Sequence, residues 1–326
     1  MAIYNSLKDL PELNNTVLTI GTFDGVHLGH QKLFEILNNK AITTNSESVV
    51  ITFNPHPQHI IGKGKNPKRL LTGIEEKVSL IKRTGINHVV VLPFDEAFSK
   101  ITAIDFLSEI VVKHFNPNTI IVGHDHHFGF KKKGDIEFLN SHKNNFGFEV
   151  EEVKANYFEN KIMSSTWIRE LIESQNIDKV SLLLGRKFSI MGTVVEGSGR
   201  GRLIGFPTAN IKIKDPLIQT PQLGVYLVSV LIDEDNIFGV CNVGHRPTFD
   251  SQKKKVIEVH LFIINQINLY GKELKIEFIQ FIRNEEKFES KEELIDQIKK
   301  DKMICHKILE DQGMKKGDSF LYVNHE

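Results

Sequence analysis

The stretch VLTIGTFDGVHLGHQKLF, residues 17–34, decides the fold of the first half of the chain. Its apolar residues run up to Gly21 and predict a buried strand, and the polar, glycine-containing break that follows predicts a sharp turn. His27 and His30 then stand three residues apart where a helix is expected to begin. Two imidazoles at such a position could bind a metal ion, act as acid and base, or hold a phosphate group.

Strands and helices alternate around this stretch up to about residue 154. One amphipathic helix is expected at 74–85, and another begins at Thr102, an N-cap candidate with Asp105 three residues on. Because the strands are almost continuously apolar, they suit a parallel sheet buried on both faces, and the alternation predicts a doubly wound α/β domain. The predicted strands are VLTIG (17–21), SVVITF (48–53), HVVVLPF (88–94), TIIVG (119–123) and FEVEEVK (148–154).

The pattern changes near residue 185, where the helical spacing disappears and strands follow one another directly. Six strands separated by Gly, Asn and Asp turns predict a small antiparallel β-barrel. A last helix is expected after Ser290, which forms a capping box with Glu293. We therefore expect domains at 1–184 and 185–312, and we leave the tail 313–326 unassigned. The six predicted strands are FSIMGTVVEG, TANIKI, GVYLVSVLID, IFGVCNVG, VIEVHLFII and ELKIEFIQFI.

Composition narrows the class of protein. The chain of 326 residues carries 41 Lys and Arg against 41 Asp and Glu, which argues against a nucleic-acid-binding protein. No apolar run reaches the roughly 20 residues that a membrane helix needs, so we expect no membrane association and a cytoplasmic location. Cys241 and Cys305 lack the spacing of metal ligands and are expected to be buried thiols in a reducing compartment.

The position of His27 and His30 favours phosphate among the three roles. The first turn of a helix attracts anions through its free N–H groups and disfavours protonated imidazole, so both side chains are expected to be neutral donors. Gly29 between them would allow a ligand to approach the backbone. A zinc site would need a third ligand, and none stands nearby in the sequence. A structural or surface role for both histidines stays open on the spacing alone.

Other polar segments of the first half follow predicted strands or begin a helix. The ends of parallel strands meet at one edge of a sheet, so ITFNPHP and VGHDHHFGFKKKGD could line one crevice through His56, Asp125, His126 and Phe128. Further on, MSSTWIRELI predicts a helix that opens with three hydroxyl groups and carries an arginine in its first turn. Capping explains one or two of those hydroxyls, and the remainder suggests a second phosphate-binding cluster. This cluster consists of Ser164, Ser165, Thr166 and Arg169.

The informative stretch of the second half is GTVVEGSGRGRLIGFPTANI, residues 192–211. Its glycine-rich part could wrap around phosphates, with Arg200 and Arg202 adding charge. A flexible hairpin without a binding function would have a similar sequence. Thr208 and Asn210 stand two apart on a strand, so both side chains point to one face and offer the hard oxygen ligands that suit Mg²⁺. The four glycines of the loop are Gly197, Gly199, Gly201 and Gly205.

A carboxylate on another strand could activate an attacking hydroxyl group. In VIEVHLF the alternation places Ile257 and Val259 on one face and Glu258 with His260 on the other. A solvated, outward-facing glutamate is the competing interpretation. Asn242, Arg246 and Thr248, in the NVGHRPTF turn just before this strand, favour a functional one.

The motifs GTFDGVHLGH, ITFNPHP, VGHDHHFG…KKKGD and SSTWIR, in this order, resemble the adenylyltransferase half of bacterial bifunctional riboflavin kinase/FAD synthetases. The first is similar to the HxGH signature of nucleotidylyltransferases. The resemblance implies a Rossmann-like nucleotidyltransferase domain in which His27 and His30 contact ATP phosphates without a covalent intermediate. It implies that Asp125 and Phe128 lie toward the flavin, and this sequence departs from the family at His126, where an aromatic residue is more usual. The remaining ATP-site residues that it implies are Gly21, Phe23, Asp24, Gly29, Ser164, Ser165, Thr166 and Arg169.

The second half resembles the riboflavin kinase domain of the same family through GTVVEGSGRGRLIGFPTANI, GVY, NVGHRPTF, VIEVHLF and LYGKEL…FIRNEEKF. The resemblance spans roughly residues 16–300. It implies that Thr208 and Asn210 hold Mg²⁺ and ATP under the glycine-rich loop, and that Glu258 takes the proton from the ribityl 5′-hydroxyl. The expected enzyme converts riboflavin to FMN in its β-barrel domain and FMN to FAD in its N-terminal domain, with ATP as co-substrate and Mg²⁺ required for both reactions.

Two rivals remain at this point. One is a nucleotidylyltransferase for another phosphate acceptor, with the barrel as an inactive regulatory module. The other is a flavin-binding regulator without enzymatic activity, although such a protein has no need for two phosphate-binding clusters.

Overall fold

The computed structural model describes residues 2–62, 68–197, 199–232, 235–245, 255–262 and 268–313. Arg246, Thr248 and all of the predicted tail except Gly313 lie outside these ranges. The chain divides into two compact units, Met1–Ser165 and Thr166–Glu326. None of the described helices combines the length and the apolar character required to cross a bilayer.

A parallel sheet of six strands forms the centre of the first unit, in the order β1-β4-β3-β2-β5-β6. The five predicted strands are confirmed. The sixth, β1, was missed because three residues are too short to show a period. Chain order reverses between β2 and β5, and ligands of such sheets bind at this reversal. The strands are β1 (Ala2–Tyr4), β2 (Thr16–Ile20), β3 (Glu47–Asn54), β4 (His88–Pro93), β5 (Pro117–Gly123) and β6 (Glu149–Val153).

Helices connect these strands, and two apolar clusters of buried residues pack around the sheet. The helix predicted from Thr102 is continuous from α4 through π-type turns at Phe106–Val112 into α5. Thr102 Oγ1 accepts from the Asp105 amide at 3.2 Å, which confirms the predicted cap. The helices are α1 (Leu28–Thr43), α2 (Pro57–Ile61), α3 (Ile74–Arg83), α4 (Ala103–Asp105), α5 (Lys113–Phe115) and α6 (Ile136–Phe146). A hairpin follows, of β7 (Tyr157–Phe158) and β8 (Lys161–Ile162).

The second unit contains a closed antiparallel barrel in the order β10-β13-β12-β11-β14-β9, as the sequence predicts. Its interior is filled by large side chains with almost no exposure, among them Tyr226, Phe188 and Phe278. Part of the outer face is covered by an apolar cluster that includes Cys305 and Leu309 of the last helix. The strands are β9 (Phe188–Val195), β10 (Ala209–Ile213), β11 (Gly224–Ile232), β12 (Asp235–His245), β13 (Lys255–Leu261) and β14 (Glu273–Arg283).

The helices of this unit are α7 (Ser165–Glu173), α8 (Ile177–Leu184), the short α9 (Arg200–Leu203) and α10 (Lys291–Asp311). Ser290 Oγ accepts from the Glu293 amide at 3.2 Å, which confirms the predicted start of α10. Because α8 packs against β9 and β14, the compact second unit begins about twenty residues before the predicted boundary at 184/185. Cys241 and Cys305 are both buried free thiols, as predicted.

Candidate active sites

The turn after β2 has a strained backbone. Phe23 and Val26 have φ values of 46° and 41°, which side-chain-bearing residues rarely adopt. The Phe23 ring folds back over Gly21, where an added Cβ would lie 2.7 Å from Cζ of that ring. Strain of this kind persists where the surroundings fix it, and it is concentrated at functional sites. Glycine at position 21 is therefore a steric requirement of the turn.

The two histidines meet as the sequence predicts. His27 is the residue before α1, and its ring stacks on that of His30 with centroids 3.6 Å apart and planes 20° apart. The edge of Phe23 closes the other side of His30 at 5.3 Å. Burial first, and then the charges of His27 and Lys77, hold the pKa of His30 well below its usual value. His30 is thus a neutral imidazole, able to donate one hydrogen bond to an anion.

This depressed pKa predicts a pH-dependent stability. Below its ordinary pKa of about 6.5, the imidazole of the unfolded chain binds a proton that the folded chain does not bind at His30. The contribution of neutral His30 is therefore fully present above pH 6.5 and is lost as the pH falls. In His30→Asn, which cannot titrate there, the midpoint of urea unfolding should fall less between pH 7 and pH 5.5 than in the wild type. Equal falls in the two proteins would contradict the burial of a neutral His30.

Asp24 supports the turn from within. Its side chain is only 3% exposed, and its carboxylate accepts from the amide of Leu71 at 3.0 and 3.1 Å and from that of Thr72 at 3.2 Å. The Gly25 amide donates in return to Thr72 Oγ1 at 3.1 Å. A carboxylate with several N–H donors is strongly held. Asp24 therefore fixes the segment of Leu71 and Thr72 against the turn.

The hydroxyl cluster reaches the same turn through Ser165. Its Oγ donates to the main-chain carbonyl of Asp24 at 2.8 Å, although the two residues are 141 positions apart. Ser164 is half-buried just before α7. Thr166 is exposed and Arg169 is half-buried one turn further along that helix. Ser165, at the start of α7, is thus tied to the histidine turn.

The segment after β5 separates its predicted residues. Asp125 is exposed, whereas Phe128 is buried, with its ring 5.5 Å from Phe106 and 5.8 Å from Phe138. His126 is held neutral, because burial lowers its pKa to about 4. Its Nε2 is buried and has no hydrogen-bond partner among the described residues.

His56, the fourth residue predicted for this crevice, has a local structural role. Its Nδ1 accepts from the Gln58 amide at 3.2 Å and so caps α2.

In the second unit, three polar side chains lie side by side on neighbouring strands. Asn210 of β10 pairs with Glu258 of β13, and Glu258 pairs with Asn242 of β12. Burial along β13 alternates, with Ile257, Val259 and Leu261 buried and Glu258 and His260 half-buried. This confirms the predicted faces of β13. Asn242, which the sequence places in the neighbourhood of Glu258, is brought directly opposite it by the register of the sheet.

The glycine-rich loop lies directly against Thr208 and Asn210. An added Cβ at Gly197 would overlap the side-chain amide of Asn210, and one at Gly201 would lie 3.1 Å from Thr208 Oγ1. Asn210 is only 7% exposed, and its Oδ1 has no hydrogen-bond partner among the described residues. A buried acceptor without a donor is costly, and a cation would satisfy it. Together with the Thr208 hydroxyl, this oxygen fits a divalent cation with hard ligands.

Substitution of Gly197 tests this packing. In Gly197→Ala the new methyl group must displace the Asn210 amide, so the riboflavin phosphorylation that the resemblance implies for this unit should fall by roughly 10–10²-fold. FMN adenylylation, measured on the same preparation, should stay unchanged. Gly73→Ala is the matched control, because an added Cβ there meets no atom within 4 Å. Wild-type phosphorylation by Gly197→Ala would contradict the close contact of loop and amide.

His260 holds the segment that carries these oxygens. Its Nδ1 lies 2.9 Å from the Pro207 carbonyl, so Nδ1 carries the proton and donates. Burial lowers the pKa of His260, and the bond to Pro207 partly opposes that shift. The alternation along β13 predicts that His260 lies beside Glu258, but it indicates no role for His260. The same alternation of apolar and polar residues that identified Glu258 could also have identified His260.

Comparison with known families covers both units. A family model described as FAD synthetase matches residues 9–167, and one described as riboflavin kinase matches residues 184–309. Three curated relatives are each named bifunctional riboflavin kinase/FMN adenylyltransferase. The protein from Buchnera aphidicola of Schizaphis graminum is 38% identical, over 94% of this chain and 98% of its own length. Those from Bacillus subtilis and Escherichia coli K12 are each 35% identical, over 89% and 92% of this chain and 92% and 94% of their own lengths.

One solved structure shares the fold over nearly the whole chain. It is a crystal structure from Streptococcus pneumoniae described as a macrolide-efflux protein, with a TM-score of 0.84 and 33% identity, over 94% of this chain and 98% of that chain. The efflux description applies to that protein.

Proposed function

This chain belongs to the bifunctional riboflavin kinase/FMN adenylyltransferase family, and from that membership we propose how its residues divide the two reactions. The enzyme phosphorylates riboflavin to FMN with ATP and then adenylylates FMN to FAD with release of pyrophosphate. One observation carries the division of labour. The stacked His27–His30 pair and the row of Asn210, Glu258 and Asn242 belong to different compact units.

In adenylylation, a phosphate oxygen of FMN attacks the α-phosphorus of ATP, and pyrophosphate leaves. We assign His27 and His30 to donate hydrogen bonds to the phosphates, where they stabilise charge that grows in the transition state. Gly29 lets the phosphates approach the start of α1, whose N–H groups and dipole favour anions. No proton is taken from FMN, since its phosphate is already ionised, and so the histidines act as hydrogen-bond donors.

Other residues of the first site have supporting parts. We propose that Gly21 and Phe23 shape the nucleotide pocket and that Asp24, whose carboxylate is filled by main-chain amides, acts by fixing the turn. The exposed Asp125 is proposed to contact the flavin. Phe128, three residues further on, is buried in the core. This supports a role for Phe128 in packing beneath the segment that carries Asp125, and not in contacting the flavin directly. The hydroxyl cluster is proposed to bind ATP with Ser164, Ser165, Thr166 and Arg169.

In phosphorylation, Glu258 takes the proton of the ribityl 5′-hydroxyl, whose oxygen attacks the γ-phosphorus of ATP while ADP leaves. We propose that Thr208 and Asn210 hold Mg²⁺ with ATP, and the buried Asn210 oxygen, which has no donor among the described residues, supports this. The bound cation neutralises phosphate charge and orients the nucleotide. Gly197, Gly199, Gly201 and Gly205 are proposed to cover the phosphates. His260 keeps the Pro207 carbonyl, and with it this segment, in place.

We propose the domain boundary at 184/185, and the riboflavin kinase model, which begins at residue 184, supports it. The free, buried state of Cys241 and Cys305 supports the proposal that the enzyme works in the reducing cytoplasm.

The function is tested by incubating the pure protein with ATP, Mg²⁺ and either riboflavin or FMN and separating the flavins. FMN and then FAD should form from riboflavin, FAD should form from FMN, and removal of Mg²⁺ by a chelator should stop both. Consumption of ATP without conversion of either flavin would favour a nucleotidylyltransferase for another acceptor. Flavin binding without ATP consumption would favour a regulator.

A further inference from the structure

A lysine is buried beneath the histidine turn. Lys77 lies in the first half of α3 on the face that also buries Val78 and Ile81, and it is only 6% exposed. Lysine is almost never buried to this degree unless its ammonium has partners, because removing the charge from water is costly. Its position therefore requires an explanation that the packing of an amphipathic helix does not supply.

The partners of this ammonium are main-chain carbonyls at the ligand-binding edge of the sheet. Nζ donates to the Thr22 carbonyl at 3.0 Å and to the Phe53 carbonyl at 3.4 Å. Thr22 stands between Gly21 and Phe23 in the strained turn, and its carbonyl also accepts from Thr52 Oγ1 at 3.2 Å. Phe53 lies near the end of the adjacent parallel strand β3. The ammonium thus joins the two strand ends where the site is built.

The charge of Lys77 changes the electrostatics of the site above it. Burial lowers the pKa of Lys77 to about 8, and the carboxylate of Asp24 limits that shift. The same charge helps to lower the pKa of His30. The titratable groups coupled here are Asp24 from the turn and His30 from α1, together with His27, which acts on His30. At neutral pH the ammonium is mostly protonated and the His30 imidazole is neutral.

We propose that Lys77 is a positioning residue for adenylyl transfer, which fixes the Thr22 carbonyl of the histidine turn and supplies a fixed positive charge beneath the His27–His30 pair. His30 can donate a hydrogen bond but is held neutral, whereas the reacting phosphates are anionic. A buried cation held by main-chain carbonyls compensates for this without contacting the substrate. The proposal rests on the adenylyltransferase function assigned to this site.

Lys77→Met, which keeps the length of the side chain and removes its charge, tests this role. FAD formation from FMN should fall at least about 10-fold in kcat, since preorganised charge is lost, and riboflavin phosphorylation should be unchanged. The imidazole titration of His30, followed by NMR and assigned with His30→Asn, should move to higher pH. Lys82→Met, which removes an exposed lysine of the same helix, should match the wild type in all three measurements.

Loss of activity in a folded Lys77→Met protein with an unmoved His30 titration would show a merely structural role and overturn the proposal, as would wild-type activity. If Lys77→Met fails to fold, Lys77→Arg decides. It keeps the charge and should retain most of the adenylylation rate and the His30 titration, and loss of either in folded protein counts against the proposal. If the wild type makes no FAD, the assigned function fails, while the His30 titration still tests the influence of Lys77.

Discussion

His30→Ala should slow FAD formation from FMN by roughly 10²–10³-fold, the loss typical of removing one preorganised donor to a developing oxyanion. Its ring is fixed between His27 and the edge of Phe23 and is held neutral by burial, so its N–H is available without reorganisation. The rate is measured by separating FMN and FAD after incubation with ATP. Riboflavin phosphorylation on the same preparation should proceed at the wild-type rate, because that site is built on the barrel.

His114→Ala is the matched control. This half-buried histidine lies in α5, just before β5 begins, and therefore at the edge of the sheet opposite to the histidine turn. It should leave both reactions unchanged. If His30→Ala abolished both reactions in a folded protein, the assignment of one reaction to each site would be wrong.

Glu258→Gln should produce the reverse pattern, with riboflavin phosphorylation reduced by roughly 10²–10⁴-fold, the contribution typical of a general base. Glutamine has the same shape but cannot take the proton of the 5′-hydroxyl. Its neighbours Asn210 and Asn242 remain in register, so the ATP site should survive and the KM for ATP should change little. FAD formation from supplied FMN should be unaffected.

Glu273→Gln provides the comparison for this variant, since it removes an exposed carboxylate at the start of β14 that pairs only loosely with Lys214 at 3.4 Å. It should retain both activities. A Glu258→Gln protein that phosphorylates riboflavin at the normal rate would remove Glu258 from the mechanism and leave the solvated-glutamate interpretation.

Local patterns allowed most of the fold to be predicted. The five long strands of the first sheet, the six strands of the barrel and the caps at Thr102 and Ser290 all follow from periodicity or from spacings of a few residues. The stacking of His27 on His30 follows in the same way, since both belong to one helix start. Strand β1 escaped because its three residues carry no period, and its place beside β4 depends on pairing across the sheet.

Contacts between segments far apart in the chain could not be predicted from the sequence. Nothing near Asp24 in the sequence shows that its carboxylate binds the amides of Leu71 and Thr72. Lys77 breaks the rule that places charges on the outer face of a helix, and only the three-dimensional structure reveals the carbonyls that allow it. The helices after Ser165 belong to the second compact unit. The sequence did not predict this, because an apolar helix face does not show which segment it packs against.

Closure of the barrel also bears on how Glu258 is kept in place. Side chains alternate along a strand, so a slip of β13 by one residue would set Ile257 or Val259 opposite Asn210 and Asn242. In an open sheet, an edge strand can change its register without affecting the other strands. In a closed barrel, a change of register in one strand must be matched by the other strands, because the shear belongs to the whole barrel. The buried aromatic rings of Tyr226 and Phe278, which pack against each other between β11 and β14, therefore help to keep Glu258 in register with Asn210 and Asn242. A random mutation can therefore abolish kinase activity by disturbing the packing of the barrel, without changing any residue of the site.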